Sequence, residues 1–236
     1  MAAFLQPIFL LVSKRRPRTI GVLPYGPNAG LSQESLKPAG TLLLYSHSMA
    51  RVRSPEKRSA ILAAAVHEIA KSGLGAPTAL IARSAGVATG TVFTYFASKE
   101  QLLNELYFEL KIEVYARVNA NFPHGASLER RARHVWSTSL HWAIDFPEKR
   151  KASVQLNVSD LITPETRART AAERGAVDAA LSELGARPAL RGLPPGFAAA
   201  AMSAMQEAAL DFVAKQPKQR EQLIERAFQV FWRGLR

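Results

Sequence analysis

Residues 81–96 read Ile81-Ala82-Arg83-Ser84-Ala85-Gly86-Val87-Ala88-Thr89-Gly90-Thr91-Val92-Phe93-Thr94-Tyr95-Phe96, and two short helical patterns meet there at one glycine. Ile81, Ala82 and Ala85 give the first pattern a small, close-packing face. Gly86 allows the positive φ that a sharp turn needs. Val87 plugs the angle between the two helices. In the second pattern Val92, Phe93 and Phe96 are expected on the inner side, leaving Thr89, Thr91, Thr94 and Tyr95 available outside. Such a pair is a helix-turn-helix.

Outward from this pair the chain keeps a helical period. Ser54 as N-cap and Pro55 at the first helical position open a helix that Gly73 closes, with Ile61, Leu62, Ala65, Val66 and Ile69 inside and His67 facing solvent. The helix-turn-helix pair occupies 77–85 and 88–95. Ser98 caps a long helix reaching toward Asn119, amphipathic through Leu102, Leu103, Leu106, Leu110 and Val114. Further helices are predicted over 127–145, 147–162, 163–185, 197–215 and 217 to the end, with 187–196 a proline-rich loop. No segment alternates with period two, so the class is all-α with about nine helices.

Upstream the pattern is different. Residues 1–12 are apolar and precede a basic cluster, the reverse of a secretory signal, and Pro7 interrupts them. Residues 17–38 are rich in Pro, Gly, Ser and Asn without a period, which predicts disorder. Domain-like sequence begins abruptly at Met49, so residues 1–48 are expected to be either a disordered extension or translated sequence ahead of a native start at Met49. The expected division is then 49–100 for the helix-turn-helix domain and 101–236 for a helical body.

The 236 residues carry a net charge of +12 and no cysteine. Such a basic balance points to a polyanionic partner, nucleic acid or an acidic membrane surface. Positive charge is densest at and ahead of the helix-turn-helix: residues 1–48 hold Lys14, Arg15, Arg16, Arg18 and Lys37 against Glu34 alone. The lack of cysteine removes disulfides and thiolate metal sites and suits a cytoplasmic protein. No apolar run is long enough to span a bilayer. His134 and His141 stand seven apart, too far along a helix to share a metal. No nucleophile elbow, phosphate-cradling loop or paired histidine–carboxylate motif occurs, so neither an enzyme nor a bound cofactor is expected.

Short hydroxyl and methyl groups at Thr89, Thr91 and Thr94 suit base edges and thymine methyls. Thr78 and Lys99 begin helices whose free N–H groups favour phosphate. Ile81-Ala82, Ala85-Gly86-Val87, Gly90-Thr91-Val92-Phe93, Tyr95-Phe96 and Ser98-Lys99-Glu100-Gln101-Leu102 resemble the N-terminal signature of the tetracycline-repressor (TetR) family of transcriptional regulators. The resemblance covers about a fifth of the chain. It implies an all-helical homodimer with a three-helix DNA-binding head and a variable ligand-binding body. It also implies phosphate contacts from Thr78, Tyr95 and Lys99, and places Thr89, Gly90, Thr91 and Thr94 at the major groove. Two departures stand out: Phe93 replaces a common tyrosine, and Ala88 replaces a capping Ser or Thr. With no Arg, Asn or Gln on the reading face, Arg51 and Arg53 are expected to add minor-groove contacts and DNA shape to add specificity.

The body leaves alternatives open. Trp136, Leu140, Leu156, Met202 and Met205 are either core or the lining of a pocket for a largely apolar effector, with His141 or Gln155 orienting it. Phe212, Ile224, Ala227, Phe228, Phe231, Trp232 and Leu235 are either core or, by resemblance, a four-helix interface with a second copy. The expected function is a ligand-released repressor on a pseudo-palindromic operator. An effector-independent DNA-architectural protein and an enzyme with a helix-turn-helix appendage are the alternatives.

Overall fold

The computed structural model describes residues 54–235. The expectations for residues 1–48 and for Arg51 and Arg53 lie outside the described residues. Ten α-helices and two short 3-10 turns make up the described part, with no strand among the described residues. They are α1 (Pro55–Ser72), α2 (Thr78–Ser84), α3 (Thr89–Tyr95), α4 (Lys99–Ala120), α5 (Leu128–Asp145), α6 (Pro147–Asn157), α7 (Pro164–Ala172), α8 (Ala176–Gly185), α9 (Phe197–Lys215) and α10 (Arg220–Gly234).

Local chemistry sets most of the boundaries. The Ser54, Ser98, Ser127 and Thr163 hydroxyls each accept a hydrogen bond from the backbone N–H three residues on, which satisfies one free donor at the start of α1, α4, α5 and α7. Pro55, Pro147 and Pro164 stand at first helical positions, where the missing N–H costs nothing.

The core is continuous from the head into the body. Ile61, Ala65 and Ile69 of α1 meet Ile81 and Ala82 of α2, Val92 of α3, Phe96, and Leu102, Leu103 and Leu106 of α4. In the body, Trp136 of α5 is fully buried. Its indole Nε1 donates to the carbonyl of Ile224 at 3.0 Å. The ring stacks on Phe231 at 5.8 Å and meets Phe228 edge-on at 6.0 Å. A buried indole needs such an acceptor, and this one fixes α10 on α5.

The apolar face of the last helix is therefore covered by α5 and α9 of the same chain. Ile224, Phe228, Phe231, Trp232 and Leu235 are all buried within the single protomer. Phe212 and Val230 are instead exposed, at 54% and 64%, with Ala227 half-buried.

Three helix limits differ from the sequence expectation. The predicted helix 163–185 is two helices, because Gly175 adopts φ 58° and ψ −129° between α7 and α8. The Asn119 side chain at the end of α4 clasps this break, its Nδ2 donating to the Arg174 carbonyl at 3.3 Å and its Oδ1 accepting from Ala176 N–H at 3.2 Å. The predicted helix 147–162 ends at Asn157. Beyond it, Asn104 on α4 donates to the Leu161 carbonyl at 2.8 Å and accepts from Thr163 N–H at 2.9 Å, holding the chain in a turn. Arg167 covers the end of α6 by donating to the carbonyls of Asn157 and Ser159. Pro217 opens a 3-10 turn before α10 rather than the helix itself.

A Cβ at Gly175 would lie 3.0 Å from Asn119 Nδ2, in a backbone region that L side chains rarely adopt. Gly175→Ala is expected to lower stability by about 1–3 kcal/mol, visible as a fall of several degrees in the thermal midpoint. An unchanged midpoint would show that the break does not depend on this conformation.

Candidate nucleic-acid interface and ligand cavity

The turn between α2 and α3 closes with two backbone hydrogen bonds: Val87 N–H to the Ala82 carbonyl at 3.0 Å and Gly86 N–H to the Arg83 carbonyl at 3.1 Å. With Gly86 at φ 66°, this is a Schellman ending, and it sets the angle at which α3 leaves α2. The Ser84 hydroxyl donates to the buried Glu68 carboxylate, tying the end of α2 to α1. Arg58 of α1 reaches Glu105 and Glu109 of α4 at 3.1 and 2.8 Å, and its guanidinium lies over the Phe96 ring.

Held in this way, α3 buries Val92 and presents Thr89, Gly90 and Thr94 to solvent, with Thr91 half-buried. The Thr94 hydroxyl donates to the Gly90 carbonyl at 3.1 Å, so its methyl and its oxygen lone pairs remain available. The Tyr95 hydroxyl accepts from Ser54 N–H at 2.9 Å, which leaves its own proton for another acceptor and couples α3 to the start of α1. Thr78 and Lys99, both half-buried, stand in the first turns of α2 and α4. No side chain caps α3 at Ala88.

Phe93 corrects the sequence reading: it is 45% exposed rather than on the inner side. Its position one residue after Val92 turns it about 100° round the helix, onto the face of Thr89 and Gly90. The exposed face of α3 thus combines hydroxyls with one aromatic ring.

An open cavity lies in the body between α4, α5, α6 and α9. Val114, Leu140, Trp142, Ala143, Val154 and Leu210 form its apolar wall. Its polar wall comes from Lys111 and Tyr115 on α4, Ser139 on α5, Arg150 and Ser153 on α6, and Gln206 and Glu207 on α9.

Of the residues predicted for a pocket, Leu140 lines this cavity. Trp136, Leu156 and Met202 are buried in the core, and Met205 packs against it. His141 turns toward α10, with Nε2 3.0 Å from the Glu221 carboxylate. Gln155 turns to the head, its Nε2 donating to the Ile69 carbonyl at 3.2 Å.

Lys111 is the residue that sequence reasoning passed over. It lies on the apolar stripe of α4, four residues after Tyr107 and three before Val114, and a charge on a core-facing stripe is the signal that marks it. It is 5% exposed. Its ammonium sits 5.4 Å from the centre of the Tyr107 ring, and no hydrogen bond or ion pair joins it to another group among the described residues. Burial, together with the positive charges of Arg174 and Arg167, pushes its pKa down from 10.5 to about 7.

Above pH 10.5 the amine is neutral in folded and unfolded chains alike. Between 10.5 and about 7 only the unfolded chain binds the proton, so the folded state loses ground as pH falls; below about 7 the loss is complete. Lys111→Met is therefore expected to raise the thermal midpoint by several degrees at pH 6 and by much less at pH 10. Equal gains at both pH values would contradict a buried, titrating amine.

Among the described residues no group of His, Cys, Asp and Glu could hold a metal ion, and no helix is long and apolar enough to cross a membrane.

Residues 61–106 match the family model described as "Bacterial regulatory proteins, tetR family". The chain is 28% identical to a tetR-family transcription regulator of Shewanella sp. PV-4, over 78% of this chain and 98% of that one, with a TM-score of 0.64. A TetR-family regulator of Marinobacter aquaeolei VT8 is 25% identical, over 76% and 95%, with a TM-score of 0.63. The TetR-like regulator LfrR of Mycobacterium smegmatis, solved with proflavine, shares the fold at 22% identity over 77% and 98%, with a TM-score of 0.57. The reading head thus matches the tetR-family model, and the chain is similar in sequence and fold to these TetR-family transcription regulators.

Proposed function

We propose that the protein is a cytoplasmic, homodimeric repressor that grips a pseudo-palindromic operator and is released by a small molecule bound in the cavity of its body. The observation that carries this reading is the double use of α6. Arg150, Ser153 and Val154 line the cavity, whereas Glu148 and Gln155 of the same helix contact α1: Glu148 lies 3.1 Å from His67, and Gln155 donates to Ile69. A second wall of the cavity, α4, begins directly after the reading helix. Whatever shifts α6 or α4 shifts the head.

A ligand does this only to the extent that it binds the two arrangements differently, and a tenfold difference is worth about 1.4 kcal/mol. In the dimer, two α3 helices would enter successive major grooves about 34 Å apart. Thr89, Gly90, Thr91 and Thr94 would face base edges, Phe93 a thymine methyl, and Thr78, Tyr95 and Lys99 phosphates, with Arg51 and Arg53 in the minor groove. Exposed Phe212 and Val230, with Ala227, suit the contact between copies, since the other apolar residues of α10 are covered within the chain.

Thr89→Ala and Thr94→Ala are each expected to weaken binding to the duplex enriched from a random library by the wild-type chain. The loss should be about fivefold, the worth of roughly one hydrogen bond or methyl contact, with the dimer mass unchanged in light scattering. Affinity should fall steeply with added salt. Unchanged binding by both variants would remove α3 from the interface. Equal affinity for unrelated duplexes would identify an effector-independent architectural protein instead.

A further inference from the structure

Resting on the reading of the body cavity as the effector site, we propose that the effector is an anion, a small molecule with an apolar body and an acidic group that seats on Lys111. Two donors on the cavity wall lack acceptors. The Lys111 ammonium has only the Tyr107 ring beside it, with no hydrogen bond or ion pair among the described residues. Arg150 gives its Nη2 to Glu207 and leaves its buried Nε without a partner among the described residues. Glu207, the only carboxylate on the wall among the described residues, is thereby engaged, so the unmatched charge there is positive.

A buried ammonium with no counter-charge is among the costlier arrangements a core can hold. The depressed proton affinity of Lys111 expresses that cost, and an acidic group beside it would restore the charged form. A cation would meet the same two groups as repulsion. Val114, Leu140, Trp142 and Leu210 supply the apolar part of the site, and Ser139 and Ser153 offer neutral hydrogen bonds. Lys111 belongs to α4 and Arg150 to α6, so an anion shared by them links the two walls that lead to the head.

The test uses two fluorescent probes with one apolar skeleton, 8-anilinonaphthalene-1-sulfonate and uncharged N-phenyl-1-naphthylamine. Both are titrated into the full chain, into Lys111→Met and into Val154→Trp, which narrows the cavity. Thermal melts confirm that each variant is folded. The expected result is that the wild type prefers the sulfonate by about tenfold or more, as a charge-assisted contact supplies. Lys111→Met should abolish that preference while retaining the neutral probe, and Val154→Trp should weaken both. If both probes bind the wild type equally and Val154→Trp weakens both, or if Lys111→Met keeps the preference, the anion proposal is overturned and the cavity remains a ligand site. If neither probe binds, or Val154→Trp changes neither, the cavity reading falls and the proposal falls with it.

Discussion

One helix, α4, is buried at both of its ends, and the arrangement of the other elements depends on that. Its first turns bury Leu102, Leu103 and Leu106 against the reading head, and its later turns bury Tyr115 and Val118 in the body. A helix of 22 residues extends about 33 Å. Two asparagines on it act as clasps, Asn104 on the turn after α6 and Asn119 on the break before α8. Between these clasps lies Lys111. The helix that orders the fold therefore also carries a buried charge with no ion-pair partner among the described residues.

Such a placement separates stability from use. Apolar side chains at either end of α4 are satisfied by their neighbours, whereas the ammonium in the middle is not. Replacing a buried charge by an apolar group of similar volume is often stabilising. That a lysine stands there, lining the same cavity as Arg150 with its partnerless Nε, is a local inconsistency of the kind found at functional positions.

Much of the head was legible because its signals are local. Ser54 with Pro55, Gly86 with Val87, and Ser98 before Lys99 act within a few residues of themselves, and the structure puts helix ends at those places. Phe93 was misjudged because "apolar means inward" competes with the helical period, and the period wins when an adjacent residue, Val92, already fills the inner position. In the body the deciding contacts are distant in sequence. Nothing near Gly175 announces that an amide 56 residues earlier will clasp it, and nothing near Ile162 announces Asn104. Whether the apolar face of α10 was core or dimer interface stayed open for the same reason: Trp136, whose indole pins it, lies 88 residues away. The cavity was the least legible feature, since it is a gap left by four helices and only Leu140 of the residues first considered borders it.

The two edges of α6 have a bearing on how relatives of this protein could diverge. The edge at Arg150, Ser153 and Val154 can vary in size and charge while the edge at Glu148 and Gln155 keeps its grip on α1. On the proposed reading, sensing and signalling would fall to different residues of one short helix, so a lineage could acquire a new chemical cue without rebuilding the route by which the cue would reach DNA.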